Sequence, residues 1–228
     1  MTGYEYCIKN RVTHCPKCDR YYIGMVVFEC PHCRKEVKEV EREYKNHKVV
    51  DVLPNVTDGM QWVLEGEGIA TVKIDGSCCA IINGEFYKRY DAKKGKKPPI
   101  GAIPCCEPDE ITGHHPHWVK VDENNPADKW FCRAYYVATD EGLAKLEDGT
   151  YEAIGKHFNG NPYNKKYDTL VKHGEWIINE SYLERTFEGI KDWLWRNCDN
   201  EGIVFWKDGE PKCKIKRADF GFEGNGKV

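Results

Sequence analysis

No run of apolar residues in the chain approaches the roughly 18 that a membrane span needs. The opening MTGYEYCIKN carries no apolar core of a secretory leader. A GxxxxGK phosphate loop is also missing, so any nucleotide has to be held in another way. Charge of one sign is not in excess: 34 Lys and Arg stand against 37 Asp and Glu, a net charge of −3. That excludes a general polyanion binder and confines nucleic-acid contact to local basic patches. Internal repeats and low-complexity tracts are lacking too. What remains is a 228-residue chain, 40% hydrophobic, able to build a core without staples. With no leader, the expected compartment is the cytoplasm, the host's if the source is viral.

Cysteine is abundant, with 12 residues. Four have metal spacing. Cys15 and Cys18 in CPKC, and Cys30 and Cys33 in CPHC, are separated by the eleven residues DRYYIGMVVFE. Two such turns supply four thiolates to one tetrahedral Zn²⁺, and the intervening segment is β-rich, as in a zinc ribbon. Redox dithiols are the competing reading. The ribbon would serve as a structural staple or docking surface, or would contact nucleic acid. The mixed-charge segment 34–48 then links it to the rest. The expected domains are a zinc-ribbon module with linker over 1–48 and a main domain over 49–228. The other eight cysteines are expected to be mostly small buried hydrophobes.

The main domain alternates strands and turns. IATVK and CCAII read as strands, with a turn at Asp75-Gly76 between them. Asn83-Gly84 signals a hairpin whose return strand is EFYKRY. Residues 91–118 read as a long ordered loop, and WFCRAYYVA as a buried strand. SYLERTFEGIKDWLWRN is the best helix, with Ser181 and Glu184 as a capping box and Leu183, Phe187, Ile190 and Leu194 on one face. Trp193 and Trp195 cannot both face the core. GIVFW, Asp208-Gly209 and PKCKIKR form a second hairpin. The fold class is α+β, dominated by antiparallel strands.

Several residues carry chemistry. Lys73 and Asp75 stand two apart before Gly76, so on a continued strand both would leave one face. Lys212, Lys214 and Lys216 alternate with Cys213 and Ile215. Lysines repeated on one strand face either protect a sheet edge or line a phosphate pocket. Glu201 is either a surface charge or a metal-binding carboxylate. His114, His115 and His117 offer metal ligands or a polar loop. Lysines 93–97 in KKGKK track an RNA backbone or sit on a solvated tip. Trp176 stacks on a base or belongs to the core.

The ordered set KIDG at 73–76, YE at 151–152, EGIV at 201–204 and KIK at 214–216 resembles the covalent nucleotidyltransferases: DNA ligases, RNA ligases and mRNA capping enzymes. The resemblance covers about residues 60–220. It implies a two-sheet antiparallel, ATP-grasp-like core with ATP in the cleft between sheets. It also implies Lys73 as the nucleophile toward the α-phosphate and Lys214 and Lys216 as its clamps. Glu201 would hold Mg²⁺ or Mn²⁺, and Glu152 would hold the ribose. Asp75, Gly76 and Arg89 complete the nucleotide-binding set. A lysine must be neutral to attack, whereas an exposed one titrates near ~10.4, so burial and neighbouring cations are required.

Within that superfamily, DNA ligases and capping enzymes carry an arginine two residues past KxDG, where this chain has Cys78; Arg89 stands where RNA ligases place theirs. Twelve residues follow Lys216, so no C-terminal OB-fold is expected. TGHHPHW and NGNPY are similar to elements of small stand-alone 5′–3′ RNA ligases. The expected function is an ATP-dependent RNA ligase acting on 5′-phosphate and 3′-hydroxyl ends in RNA repair. The alternatives are a DNA ligase, a GTP-using capping guanylyltransferase, or a non-catalytic zinc-ribbon protein that binds nucleic acid.

Overall fold

The computed structural model describes residues 52, 54, 56–109 and 112–222, together with the backbone of three short strands before them. Those strands are β1 (Val12–Cys15), β2 (Arg20–Ile23) and β3 (Lys38–Val40), which form an antiparallel sheet in the order β2-β1-β3. Cys18, Cys30 and Cys33, and the side chain of Cys15, lie outside the described residues, and so does the zinc site expected of them.

The chain divides into two compact units, one of residues 1–73 with 176–228 and one of residues 74–175. The first holds β4 (Ile69–Lys73). The second holds β5 (Ser77–Ile82), β6 (Glu85–Ala92), β7 (Ile103–Pro104), β8 (His115–Lys120), helix α1 (Lys129–Ala138), β9 (Gly149–Ile154) and β10 (Thr169–Lys172). The chain then returns to the first unit for helix α2 (Phe187–Arg196), β11 (Gly202–Lys207) and β12 (Glu210–Lys216). The first unit's three-stranded sheet runs β12-β11-β4 and the second unit's six-stranded sheet runs β10-β9-β5-β6-β8-β7, with every pairing antiparallel. The α+β, antiparallel two-sheet class read from the sequence is the class observed. None of the described helices is long and apolar enough to cross a membrane.

Both expected hairpins form for the expected reason. Asn83 and Gly84 have φ of 52° and 76°, and Asp208 and Gly209 have 56° and 76°. Two consecutive left-handed residues match the twist of the flanking strands. The expected turn at Asp75-Gly76 is instead a passage between sheets, because β4 and β5 belong to different ones.

WFCRAYYVA is not a strand but the body of α1. Its aromatic content imitates a strand, yet Phe131, Ala134, Tyr135 and Ala138 fall on one helical face and pack on Cys79, Ile81, Phe86 and Tyr151. The start signal lies upstream. Asn125 accepts from the Ala127 amide at 3.1 Å and opens a 3₁₀ turn, Pro126–Asp128, that leads into the helix. Residues 91–118 are likewise not all loop, since β7 and the start of β8 fall within them and HPHW is strand.

Helix α2 begins five residues later than its expected box. Thr186 caps it by accepting from Gly189 N at 3.0 Å, and Ser181 lies in a separate 3₁₀ turn capped by Asn179. The helix buries Ile190, Trp193 and Leu194 against Ile203, Phe205 and Ile215, at about 1.5–3 kcal/mol for each such side chain. Trp195 is 64% exposed, so only one of the two tryptophans enters the core.

Among the described cysteines only Cys79 and Cys213 are buried; Cys106 and Cys198 are exposed and the rest intermediate, so most are not core residues. Burial pushes the Cys213 thiol up to about 12. An unfolded thiol ionises near about 8.5. Above that pH the native state holds a proton that the unfolded state has lost, so stability present at neutral pH falls as pH rises toward 12, by roughly one kcal/mol per pH unit. Cys213→Ala is expected to flatten part of this alkaline limb. Urea midpoints of both proteins at about pH 8 and about pH 10 check it.

Candidate active site

The first unit's β12-β11-β4 sheet lays out a row of the candidate residues. Gly202 on central β11 pairs with Lys73 of β4 on one side and Lys216 of β12 on the other. Val204 pairs with Thr71 and Lys214. Residues opposite one another share a sheet face, so Lys73, Lys214 and Lys216 project from the same side. Ala70, Ile203, Phe205, Cys213 and Ile215 take the other side and form the core. Lys73 and Lys216 stand two strands apart, roughly 10 Å. Gly202 puts no side chain between them. A Cβ there would overlap the Ile215 carbonyl oxygen and lie 2.9 Å from Lys216 Cα.

Glu201 sits immediately before β11, and its carbonyl accepts from Arg217 N at 3.0 Å. Its carboxylate forms an ion pair with Lys73 Nζ, and the two side chains are 27% and 22% exposed. The pair is sheltered yet open to small solutes. Arg217, the residue after KIK, is buried and donates to the carbonyls of Leu194 and Trp195 at the end of α2. That contact fixes the end of β12 against the helix. Lys212 is engaged by Glu210 two residues away, so the third lysine of the alternation has a local partner.

The remaining expected site residues belong to the second unit. Cys78 of β5 pairs with Glu152 of β9. Glu152 is 8% exposed, and its Oε2 lies 2.9 Å from His173 Nε2, while His173 Nδ1 lies 2.9 Å from Thr150 Oγ1. Burial first, and Glu152 second, push the Cys78 thiol up to about 12; Arg89 beside it pulls the other way. Asp75 is not part of β4, which ends at Lys73, so the two do not share a strand face. Its amide donates to Tyr163 Oη at 2.8 Å and its carboxylate accepts from the Asn159 amide. Gly76 serves close packing rather than a left-handed turn: a Cβ would overlap the Ala153 carbonyl oxygen and lie 3.0 Å from Glu152 Cγ.

NGNPY is thus the element that holds Asp75, with Asn159 and Asn161 at φ of 45° and 57°. His173, the partner of Glu152, was not anticipated; it stands in no motif and reaches Glu152 only through the β9–β10 pairing. The histidines of TGHHPHW hold no metal cluster among the described residues. His114 contacts Asp91 and His117 contacts the His115 carbonyl. Lysines 93, 94, 96 and 97 are exposed around a tight turn at Gly95. Trp176 is half-buried, and its carbonyl accepts from Val72 N.

No family model matches the chain. Comparison with curated proteins finds RNA ligase 1 of Danio rerio, 35% identical over an alignment of 223 residues that covers 68% of this chain and 67% of the relative. The chain belongs to the RNA ligase 1 family. RNA ligase 1 of Rattus norvegicus is 29% identical, covering 65% of each chain. RNA ligase 1 of Pongo abelii is 26% identical over 259 residues, covering 82% of this chain and 78% of its own. The chain therefore spans about two thirds of the length of the Danio and Rattus RNA ligase 1 proteins.

Proposed function

We propose that this protein is an ATP-dependent RNA ligase that joins 5′-phosphate and 3′-hydroxyl ends through a lysine–AMP intermediate, in RNA repair in the cytoplasm. The observation that carries the reading is the row Lys73–Gly202–Lys216 with Glu201 on the Lys73 ammonium. The names of the three relatives favour RNA over DNA as the substrate.

The chemistry follows from the row. The Lys73 amine gives up a proton, for which the Glu201 carboxylate is in contact, and its lone pair attacks the α-phosphorus of ATP. The P–N bond forms as the bond to pyrophosphate breaks. Lys214 and Lys216, on the same face, donate to the phosphate oxygens as charge builds on them. A 5′-phosphate oxygen of the RNA then attacks the same phosphorus, and Lys73 leaves with a proton. Finally a 3′-hydroxyl attacks the activated phosphate and AMP departs. Glu152 is the proposed acceptor for the ribose hydroxyls, with Asp75, Gly76 and Arg89 as the other nucleotide-binding residues. One sheltered carboxylate fits a hard cation that also takes phosphate oxygens, so Glu201 would hold Mg²⁺ or Mn²⁺, which would neutralise the phosphates.

Intact mass after incubation with Mg²⁺ and either ATP or GTP tests the reading. The expected gain is one AMP, about 329 Da, on the peptide carrying Lys73. A guanylate adduct instead would identify a capping enzyme. No adduct from either nucleotide on folded protein would leave a non-catalytic binding protein. A labelled nick in RNA and the same nick in DNA separate the two ligase readings.

A further inference from the structure

The second unit carries a cluster of which the proposed reaction uses only Glu152. Cys78, Glu152 and His173 place a thiol, a carboxylate oxygen and an imidazole nitrogen within 4.8 Å of one another. Among the described residues no other three histidine, cysteine or acidic side chains converge in this way. We propose that these three residues bind a borderline divalent cation of the Zn²⁺ type. None of its ligands is Glu201 or one of the paired cysteines at residues 15–33.

Three features support it. The ligands are set by paired backbone: Cys78 faces Glu152 across β5 and β9, and His173 follows β10, which pairs with β9. The imidazole is already oriented for coordination. Its Nδ1 is held by Thr150 Oγ1 at 2.9 Å, which turns Nε2 toward Glu152; an outer hydrogen bond of this kind fixes metal-ligating histidines. The donor set also selects the ion, since thiolate with imidazole favours Zn²⁺ or Co²⁺ over Mg²⁺.

The charge balance suits the neighbourhood. The half-buried thiol, its ionisation pushed up by desolvation and by Glu152, is neutral in the empty site. On binding, the S–H bond breaks, the sulfur pair coordinates the ion, and one proton leaves to solvent. Thiolate, carboxylate and divalent ion sum to zero, so the occupied site places no net positive charge beside Arg89, although binding raises the local charge by one.

One consequence rests on the proposed ligase reading. Glu152 is the residue assigned there to the ribose, so a cation that takes its carboxylate competes with ATP. Micromolar Zn²⁺ would then depress AMP labelling of the protein.

The test uses the full chain, first saturated with one equivalent of Zn²⁺ and then titrated with Co²⁺. The expected result is a thiolate-to-cobalt absorption band in the wild type, lost in Cys78→Ser and shifted at least about tenfold to higher Co²⁺ in His173→Ala. His173 is partly exposed, so its variant keeps the test valid if Cys78→Ser unfolds. A wild type without the band, or a titration unchanged in His173→Ala, overturns the site. The binding readout involves no nucleotide. A cobalt band with no AMP labelling under any condition would therefore count against the ligase reading and leave the cation site standing. A band with labelling indifferent to Zn²⁺ would overturn the competition between ion and ribose.

Discussion

Lys73→Ala is expected to form no AMP adduct and to lose at least about 10³-fold in sealing ordinary RNA ends, more than about 4 kcal/mol of barrier. The same variant is expected to seal RNA whose 5′ end has been adenylated in advance. The contrast follows from the order of bonds. In the proposed reaction Lys73 supplies the nucleophile for the first transfer and leaves in the second; the attack of the 3′-hydroxyl on an adenylated end would need only groups that bind phosphate and expel AMP. Those groups, Lys214 and Lys216, stand on the same sheet face and are untouched by the substitution. Lys73→Arg should fail as completely, because a guanidinium stays protonated and has no lone pair to offer. Intact mass and a gel-based sealing assay on both substrates give the answer. An adduct surviving in Lys73→Ala would move the nucleophile to another lysine of that face. Loss of sealing on both substrates, in protein that still unfolds cooperatively, would mean that Lys73 also orders the phosphate clamp.

The parts of the fold that were legible in the sequence are those where a local rule and the tertiary structure agree. Asn83-Gly84 and Asp208-Gly209 adopt left-handed φ because their side chains tolerate it, so both hairpins could be read directly. Lys214 and Lys216 were placed on one face by strand alternation alone, with Cys213 and Ile215 opposite, and the burial pattern agrees. What escaped was decided by contacts distant in sequence. In α1 the aromatic residues Trp130, Phe131, Tyr135 and Tyr136 favoured a strand by composition. The spacing of Phe131, Ala134, Tyr135 and Ala138 was the better guide, because that face had a sheet to cover. In α2 two capping sequences competed, and the later one, at Thr186, opens the helix, while Leu183 is buried ahead of it. At the candidate site the KIDG order marked Lys73, but its pairing with Glu201 spans 128 positions and depends on β4 lying beside β11. His173 had no motif to announce it.

Gly202→Ala should damage both stability and chemistry, although it adds a single methyl group. Gly202 does not have a positive φ, so the cost is steric rather than conformational. The new Cβ meets backbone on β12, the Ile215 carbonyl oxygen and Lys216 Cα, neither of which can rotate away. The strands must part, which strains the ladder that carries Ile203–Ile215, two side chains that are 0% and 1% exposed. Overpacking of this kind costs about 1–3 kcal/mol, and the upper end applies where backbone must move. A lower urea midpoint with an unchanged slope would record it. The catalytic loss comes from the same displacement, because Lys73 and Lys216 are positioned by their pairing to the two sides of this residue. A shift of about 1 Å between a nucleophile and the group that stabilises its transition state can cost about 10²-fold in rate. AMP-adduct formation should therefore slow by about that factor at temperatures where the variant remains folded. Val204→Ala, one row along the same strand and face, is the control: it removes a half-buried side chain without touching the Lys73–Lys216 spacing. If Gly202→Ala lowered the midpoint but labelled at the wild-type rate, the spacing across the row would not be what organises the reaction, and Lys216 would lose its place in the mechanism.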